Sequence, residues 1–287
     1  MKVNNESNAI PGTLNRISYL KSELEYALSG MKNEEIGALF KEIIIVAGHE
    51  TWNNKKQAIQ STVTGIKKLG KFILSKGQEY KEKGIKDTFT NDIETAKNSI
   101  KSLPGKLNEK YQKLQALSQS EKSTLITEAV IYVFVFVLMA SLTAGGPDLE
   151  GGLPDVDLNA SIGLHRHPFT HSILIGFSAE IIIRIAFLSL EKIHSKLPDP
   201  HDGIWDEMHR ISGNVKAAGI AGMWTGLAMH LLKDSNLLNG FQAKTKAYSS
   251  LPISVSDNTH QLLFGVNAAA SGAFGKESID ETMKNIK

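Results

Sequence analysis

Leu125–Ala144 reads LITEAVIYVFVFVLMASLTA, about 20 residues with one charge, Glu128. Wound as an α-helix at about 1.5 Å per residue, it is long enough to cross a bilayer core of about 30 Å. Its β-branched content would also suit a strand, but its length favours a helix. Lys106, Lys110, Lys113 and Lys122 precede it and would keep the amino-terminal flank cytoplasmic if the helix spans. Two more apolar stretches follow. Ser172–Leu190 contains Glu180 and Arg184, an i,i+4 pair on one helical face that is costly in lipid unless neutralised internally. Ala217–Leu232 is uncharged and rich in Gly and Ala, as expected where helices approach closely. The reading is an all-α protein whose apolar helices form a compact bundle, associated with a lipid bilayer through at least the first stretch. A soluble all-helical core is the alternative.

Upstream the texture differs. Up to Lys122 there are about 20 basic against about 14 acidic side chains, roughly +6, leaving roughly −4 for the remainder. Ile17, Leu20, Leu24 and Leu28 are spaced as on one helix face, Phe40–Val46 is a denser apolar stretch, and Gly30 and Gly48 sit where helices would end. The pattern continues through Ile59, Val63, Ile66, Leu69 and Ile73, then Ile93, Ile100, Leu107, Tyr111, Leu114 and Leu117, with a break at Pro104–Gly105. Three segments result: a basic amphipathic helical region over 1–122, a membrane-associated helical domain over 123–240, and a loop and short helical tail over 241–287. In that tail Ser249–Asn258 is loop-like and Gln261–Gly275 suits one short helix.

Composition removes whole classes. The 287 residues are 41% hydrophobic and 22% charged, enough for a sizeable core, and the net charge of +2 gives nucleic-acid binding no global support. Few aromatics interleave the lysines, which weakens any single-strand stacking surface. There is no cysteine, so disulfide scaffolds, cysteine nucleophiles and iron–sulfur clusters are out. A mean hydropathy of −0.14 argues against a multi-span transporter. The polar Met1–Gly12 lacks the apolar core of a secretory signal, so no cleaved export segment is expected. Gly272–Glu277 (GAFGKE) lacks the first Gly and the Ser or Thr of a phosphate-binding loop, and no Gly-x-Ser-x-Gly elbow occurs.

The chemistry concentrates in Gly145–Ser172, GGPDLEGGLPDVDLNASIGLHRHPFTHS. Asp148, Glu150, Asp155, Asp157, His165, His167 and His171 all fall there, and carboxylate with imidazole suits zinc, manganese, iron or nickel. His167 and His171 would share a helix face if a helix begins near Pro168. His230 and Asp234, also four apart, end the apolar Ala217–Leu232 stretch. His201, Asp202, Asp206 and His209 form a second polar cluster, held in reserve, while His194, His201 and His209 are expected at the surface.

Three motifs, Gly151–Asp157 (GGLPDVD), His165–Ser172 (HRHPFTHS) and His230–Asp234 (HLLKD), resemble in order those of the metal-dependent membrane-bound hydrolases typified by the LexA-binding inner-membrane protein of enterobacteria. The likeness covers about a third of the chain, Gly145–Leu238. The family's spacing of five between its two histidines falls between His165–His171 and His167–His171, so either His165 or His167 is the ligand. Lys233 stands where an apolar residue is expected. The resemblance implies one or two divalent ions, zinc or manganese foremost, held by Asp155, Asp157, His165, His171, His230 and Asp234. Arg166 and His167 would be catalytic, Arg166 pairing an anionic substrate group or else bridging to Asp148 or Glu150. Thr170 or Ser172 would orient a ligand.

The function so implied is hydrolysis, of a phosphoester sooner than an amide, by a metal-activated water at the bacterial inner membrane. A helical membrane-interaction or adaptor protein with a structural metal site is the alternative, its amino-terminal helices recruiting a protein partner and its location membrane-associated or soluble in the cytoplasm. A membrane-perturbing effector is a third reading.

Overall fold

The computed structural model describes residues 13–83, 112, 115–159, 165–237, 247–251 and 253–285. Among them there are six α-helices, one short 3-10 helix and no strand. The helices are α1 (Thr13–Ser29), α2 (Asn33–Lys83), α3 (Gln119–Ala144), α4 (Ile173–His194), α5 (Gly203–Ser235) and α6 (Asp257–Asn285), with the 3-10 helix at Leu153–Asn159. The all-α reading therefore holds. The expected pattern at Ile93, Ile100, Leu107, Tyr111 and Leu114, the Pro104–Gly105 break, and the start of the tail at Phe241 lie outside the described residues.

The chain divides into two compact units, residues 1–53 with 135–287, and residues 54–134. These cut the sequence differently from the composition segments 1–122, 123–240 and 241–287. In the second unit, a reciprocal cap starts α3: the Glu121 amide donates to Ser118 Oγ at 3.3 Å and the Ser118 amide to Glu121 Oε2 at 2.8 Å.

In the first unit α5 and α6 pack along each other, with α4 against both and α1 against α4. The core holds Met223, Trp224, Leu227 and Leu231 of α5 with Phe264 and Phe274 of α6, all buried. Trp224 meets Phe177 and Phe274 edge-on at ring separations of 5.6 and 4.8 Å. The small residues of α5 have a definite use. A Cβ on Gly222 would stand 2.3 Å from the Phe136 carbonyl oxygen, and one on Gly226 would stand 2.3 Å from that of Ala140. Only hydrogen at these positions lets α5 lie against the backbone of α3.

Glu180 and Arg184 are neutralised internally. Arg184 donates to Glu180 Oε1 from Nε and Nη2 at 3.0 and 2.8 Å, and from Nη1 to Glu50 at 2.9 Å. Trp224 Nε1 donates to Glu180 Oε2 at 2.5 Å. Helices α3 and α4 are both long and apolar enough to cross a membrane. Ile126, Val130, Phe134, Val137 and Leu142 of α3 are exposed.

Some boundaries differ from the sequence reading. Gly30 does follow the end of α1, but Gly48 lies inside α2. One interior glycine costs a helix about 1 kcal/mol, too little to end it against strong neighbours. Helix α5 starts well before the apolar stretch at Ala217, capped by Asp202, whose carboxylate accepts from the Ile204 amide at 2.9 Å. Helix α6 runs the whole of Asp257–Asn285 where a short helix over Gln261–Gly275 is expected, and its buried residues extend past those bounds to His260 and Ser278.

Candidate metal centre

The site is assembled where α3 ends. Gly145 has φ +91°, and a Cβ there would collide with the Glu150 carbonyl at 2.1 Å, so this turn requires glycine. The chain doubles back into the 3-10 helix carrying Asp155 and Asp157. Lys233 of α5 clamps the turn, donating to the Asp148 and Leu149 carbonyls at 2.6 and 3.3 Å and to Glu150 at 2.5 Å. An apolar residue would leave those carbonyls without this partner.

Residues 165–172 form turns, and α4 begins only at Ile173, capped by Ser172. The helix expected from Pro168 is replaced by a single helical turn in which the His171 amide donates to the His167 carbonyl at 3.0 Å. Within it His167 Nδ1 accepts from the Phe169 amide at 3.2 Å. His165, by contrast, points its Nδ1 at Asp155 and Asp157, 3.5 Å from each.

Four side chains converge more closely. His171 Nε2 lies 3.2 Å from Asp155 Oδ1 and 3.6 Å from Asp234 Oδ2, and His230 Nε2 lies 3.7 Å from both. A tetrahedral ion with bonds of about 2.1 Å holds its donor atoms about 3.4 Å apart, so these separations match the edges of such a shell. His230 Nδ1 is 3.0 Å from the Ala144 carbonyl oxygen, which can only accept, so in the neutral ring the proton sits there and Nε2 carries a lone pair. That Nε2 is buried and has no hydrogen-bond partner. Two carboxylate oxygens and a nitrogen lone pair thus face one another away from water. A cation resolves their repulsion, and the buried His/Asp cluster could hold one.

Asp157 stands beside this group and supports it. Its Oδ2 accepts from Thr170 Oγ1 at 2.6 Å and from the His167 amide at 3.0 Å, and lies 3.3 Å from His171 Nδ1. A proton on that nitrogen leaves His171 Nε2 as a donor toward the centre, the usual histidine–carboxylate arrangement around metals. For Asp155, burial would raise the carboxyl pKa. When the facing rings are protonated, hydrogen bonds from His171 and the Gly151 amide, with the charge of His230, outweigh it and hold the group well below the ordinary range, so protonated rings play the part a cation would. Asp157 is likewise lowered: burial opposes, while bonds from Thr170 and the His167 amide prevail.

Arg166 has φ +62°, uncommon for a residue with a side chain. It bridges to neither Asp148 nor Glu150. Its Nε lies 3.3 Å from Asp234 Oδ2, and its carbonyl accepts from the Ser249 amide at 3.1 Å. The same strap supplies Tyr248, which donates to the His171 carbonyl at 2.7 Å and stacks on Phe264 at 4.0 Å. Burial pushes the Tyr248 hydroxyl pKa up, with the Asp234 charge adding to it. No motif links Tyr248 to the centre. Its only sequence signal is an aromatic before a Ser-Ser-Leu-Pro loop. His165 and Arg166, each 19% exposed, are the members of the cluster nearest solvent.

Comparison with protein-family models finds no match, and neither do comparisons with curated proteins or with solved structures.

Proposed function

We propose that this protein is a membrane-associated, metal-dependent hydrolase acting on a phosphoester, with Asp155, His171, His230 and Asp234 holding the ion and His165 at its open side. The observation that carries the reading is His230 Nε2, a buried lone pair with no hydrogen-bond partner, aimed at two carboxylate oxygens. The order of the three motifs, and their resemblance to membrane-bound hydrolases, favour hydrolysis. The exposed apolar surface of α3 favours a lipid setting.

A divalent ion in this cradle supplies Lewis acidity and a water that ionises near neutral pH. The chain's own residues do the rest. Arg166, a permanent positive charge at the rim beside Asp234, attracts an anionic substrate group and turns it toward the centre. His165, between Asp155, Asp157 and solvent, is placed to take or return a proton. Thr170 and Asp157 hold the His171 ring in one orientation.

One observation favours the structural-metal reading instead. The four closest donors are all buried, as in closed structural sites. The test is elemental analysis of the purified full chain, joined to hydrolysis of phosphomonoester, phosphodiester and phospholipid substrates. Stoichiometric metal that is lost in His230→Ala, with hydrolysis lost in Arg166→Ala while metal stays, supports the hydrolase. Tight metal with no hydrolysis of any substrate supports the structural site, and a folded wild-type chain that takes up no metal refutes both.

A further inference from the structure

The polar cluster at the opposite end of α5 has the same donor chemistry. His194 ends α4, His201 lies in the connection, and Asp206 is in the first turn of α5. His194 Nε2 and His201 Nε2 both converge on Asp206 Oδ1, at 2.9 and 3.1 Å. His201 Nδ1 is 2.9 Å from the Pro198 carbonyl oxygen. That oxygen can only accept, so the neutral ring carries its proton on Nδ1 and turns the Nε2 lone pair toward a carboxylate. Two acceptors at 3.1 Å need a positive charge between them, supplied either by a second proton on the ring or by a metal ion that displaces it. His209 stacks on His194 at 4.4 Å with ring planes 6° apart, and His201 meets His194 edge-on at 5.5 Å, so the imidazole planes are set before any ligand arrives.

We propose that His194, His201 and Asp206 form a second divalent transition-metal site, distinct from the buried centre. The three ligand atoms lie close enough together to share one ion after a shift of a few tenths of an ångström from their hydrogen-bonded separations, and two imidazoles with one carboxylate suit zinc. Three protein ligands leave at least one position to water, and Asp206 is 65% exposed. This ion exchanges readily, unlike one held at His230. It ties the end of α4 to the start of α5 across the intervening loop. Asp206 and His230 are separated by about 36 Å of helix, so the two sites fill independently.

The test is equilibrium dialysis of the full chain, in detergent, against zinc at micromolar free concentration, with cobalt absorption as a second readout. The expected result is one readily chelated equivalent in the wild type, absent from His201→Asn and from Asp206→Asn, each checked for helicity by circular dichroism. His230→Ala keeps that equivalent, which separates this site from the buried one whatever the outcome there. The proposal is overturned if both variants bind as much zinc as the wild type. It is equally overturned if the exchangeable equivalent appears only at millimolar zinc, or if a proton alone bridges His201 and Asp206 and no zinc is taken up.

Discussion

The two ends of α5 carry the same side-chain types in opposite surroundings. At the carboxyl end His171, His230 and Asp234 are 0%, 1% and 2% exposed. At the amino end the shared carboxylate of Asp206 stands in solvent. Identical donors therefore differ in what water does for them. Exposed acceptors are solvated and lose little without a cation, whereas buried ones have no substitute for it. The buried cluster should accordingly couple metal to folding, and the exposed one should bind with little effect on stability.

The largest expected effect tests that coupling directly. His230→Ala lowers metal affinity at the buried centre more than about 100-fold, beyond what outer-sphere changes cost, and lowers the melting temperature of the metal-loaded protein, whereas His201→Asn leaves that temperature nearly unchanged. Chelator competition and thermal denaturation read both. Equal losses from the two variants would break the contrast.

Next in size is Gly226→Val. The added carbons meet the Ala140 carbonyl and push α5 from α3, with an overpacking cost of about 1–3 kcal/mol. Because position 226 lies one turn from His230 on the same face, the buried centre loses affinity as well, while zinc at Asp206 is retained. A smaller effect comes from Thr170→Val, which removes the hydroxyl donated to Asp157 and loosens the His171 ring. A roughly 10-fold loss of metal affinity is expected with the fold intact, read by metal-competition titration.

The smallest effect concerns acid. Arg16 donates to Asp202 from Nε and Nη2 at 3.0 and 2.8 Å, and with the Ile204 amide it holds the Asp202 carboxyl below its usual range. A carboxyl lowered on folding contributes stability that is fully present above the unfolded value of about 3.8 and is lost as pH falls through the folded one. Asp202→Asn should lower stability slightly at neutral pH, where the pair's contribution is present, leave it little changed near the acid end, and so flatten the profile across that window. Chemical denaturation across pH 2 to about 5 checks it, and an unchanged slope would show that the pair is solvent-screened.

Much of the centre is visible before folding is considered. Asp155, Asp157, His165 and His171 lie close in sequence, and His230 with Asp234 is marked by its spacing at the end of an apolar run. The partner of Arg166 is not visible, because a positive φ turns its side chain toward α5 instead of the nearby Asp148 and Glu150. Tyr248 escapes for a similar reason: its contact with His171 depends on how the strap crosses the bundle. Gly48 misleads because a breaker weighs about 1 kcal/mol and loses to helical neighbours. Helix α6 is under-read because its buried face is interrupted by small and polar residues.

The sequence alone determined that the chain is helical, that α3 and α4 are long and apolar, and that carboxylates and imidazoles cluster around a glycine-rich turn. Those properties follow from composition and periodicity, which act locally. The tertiary structure decided which donors meet. It paired Asp155 with His171 and His230, gave Asp157 to Thr170 and the His167 amide, and separated the two histidine clusters by the length of α5. Such choices depend on angstrom-scale approach between distant segments, and here the approach is set by two glycines of α5 that allow it to lie against α3.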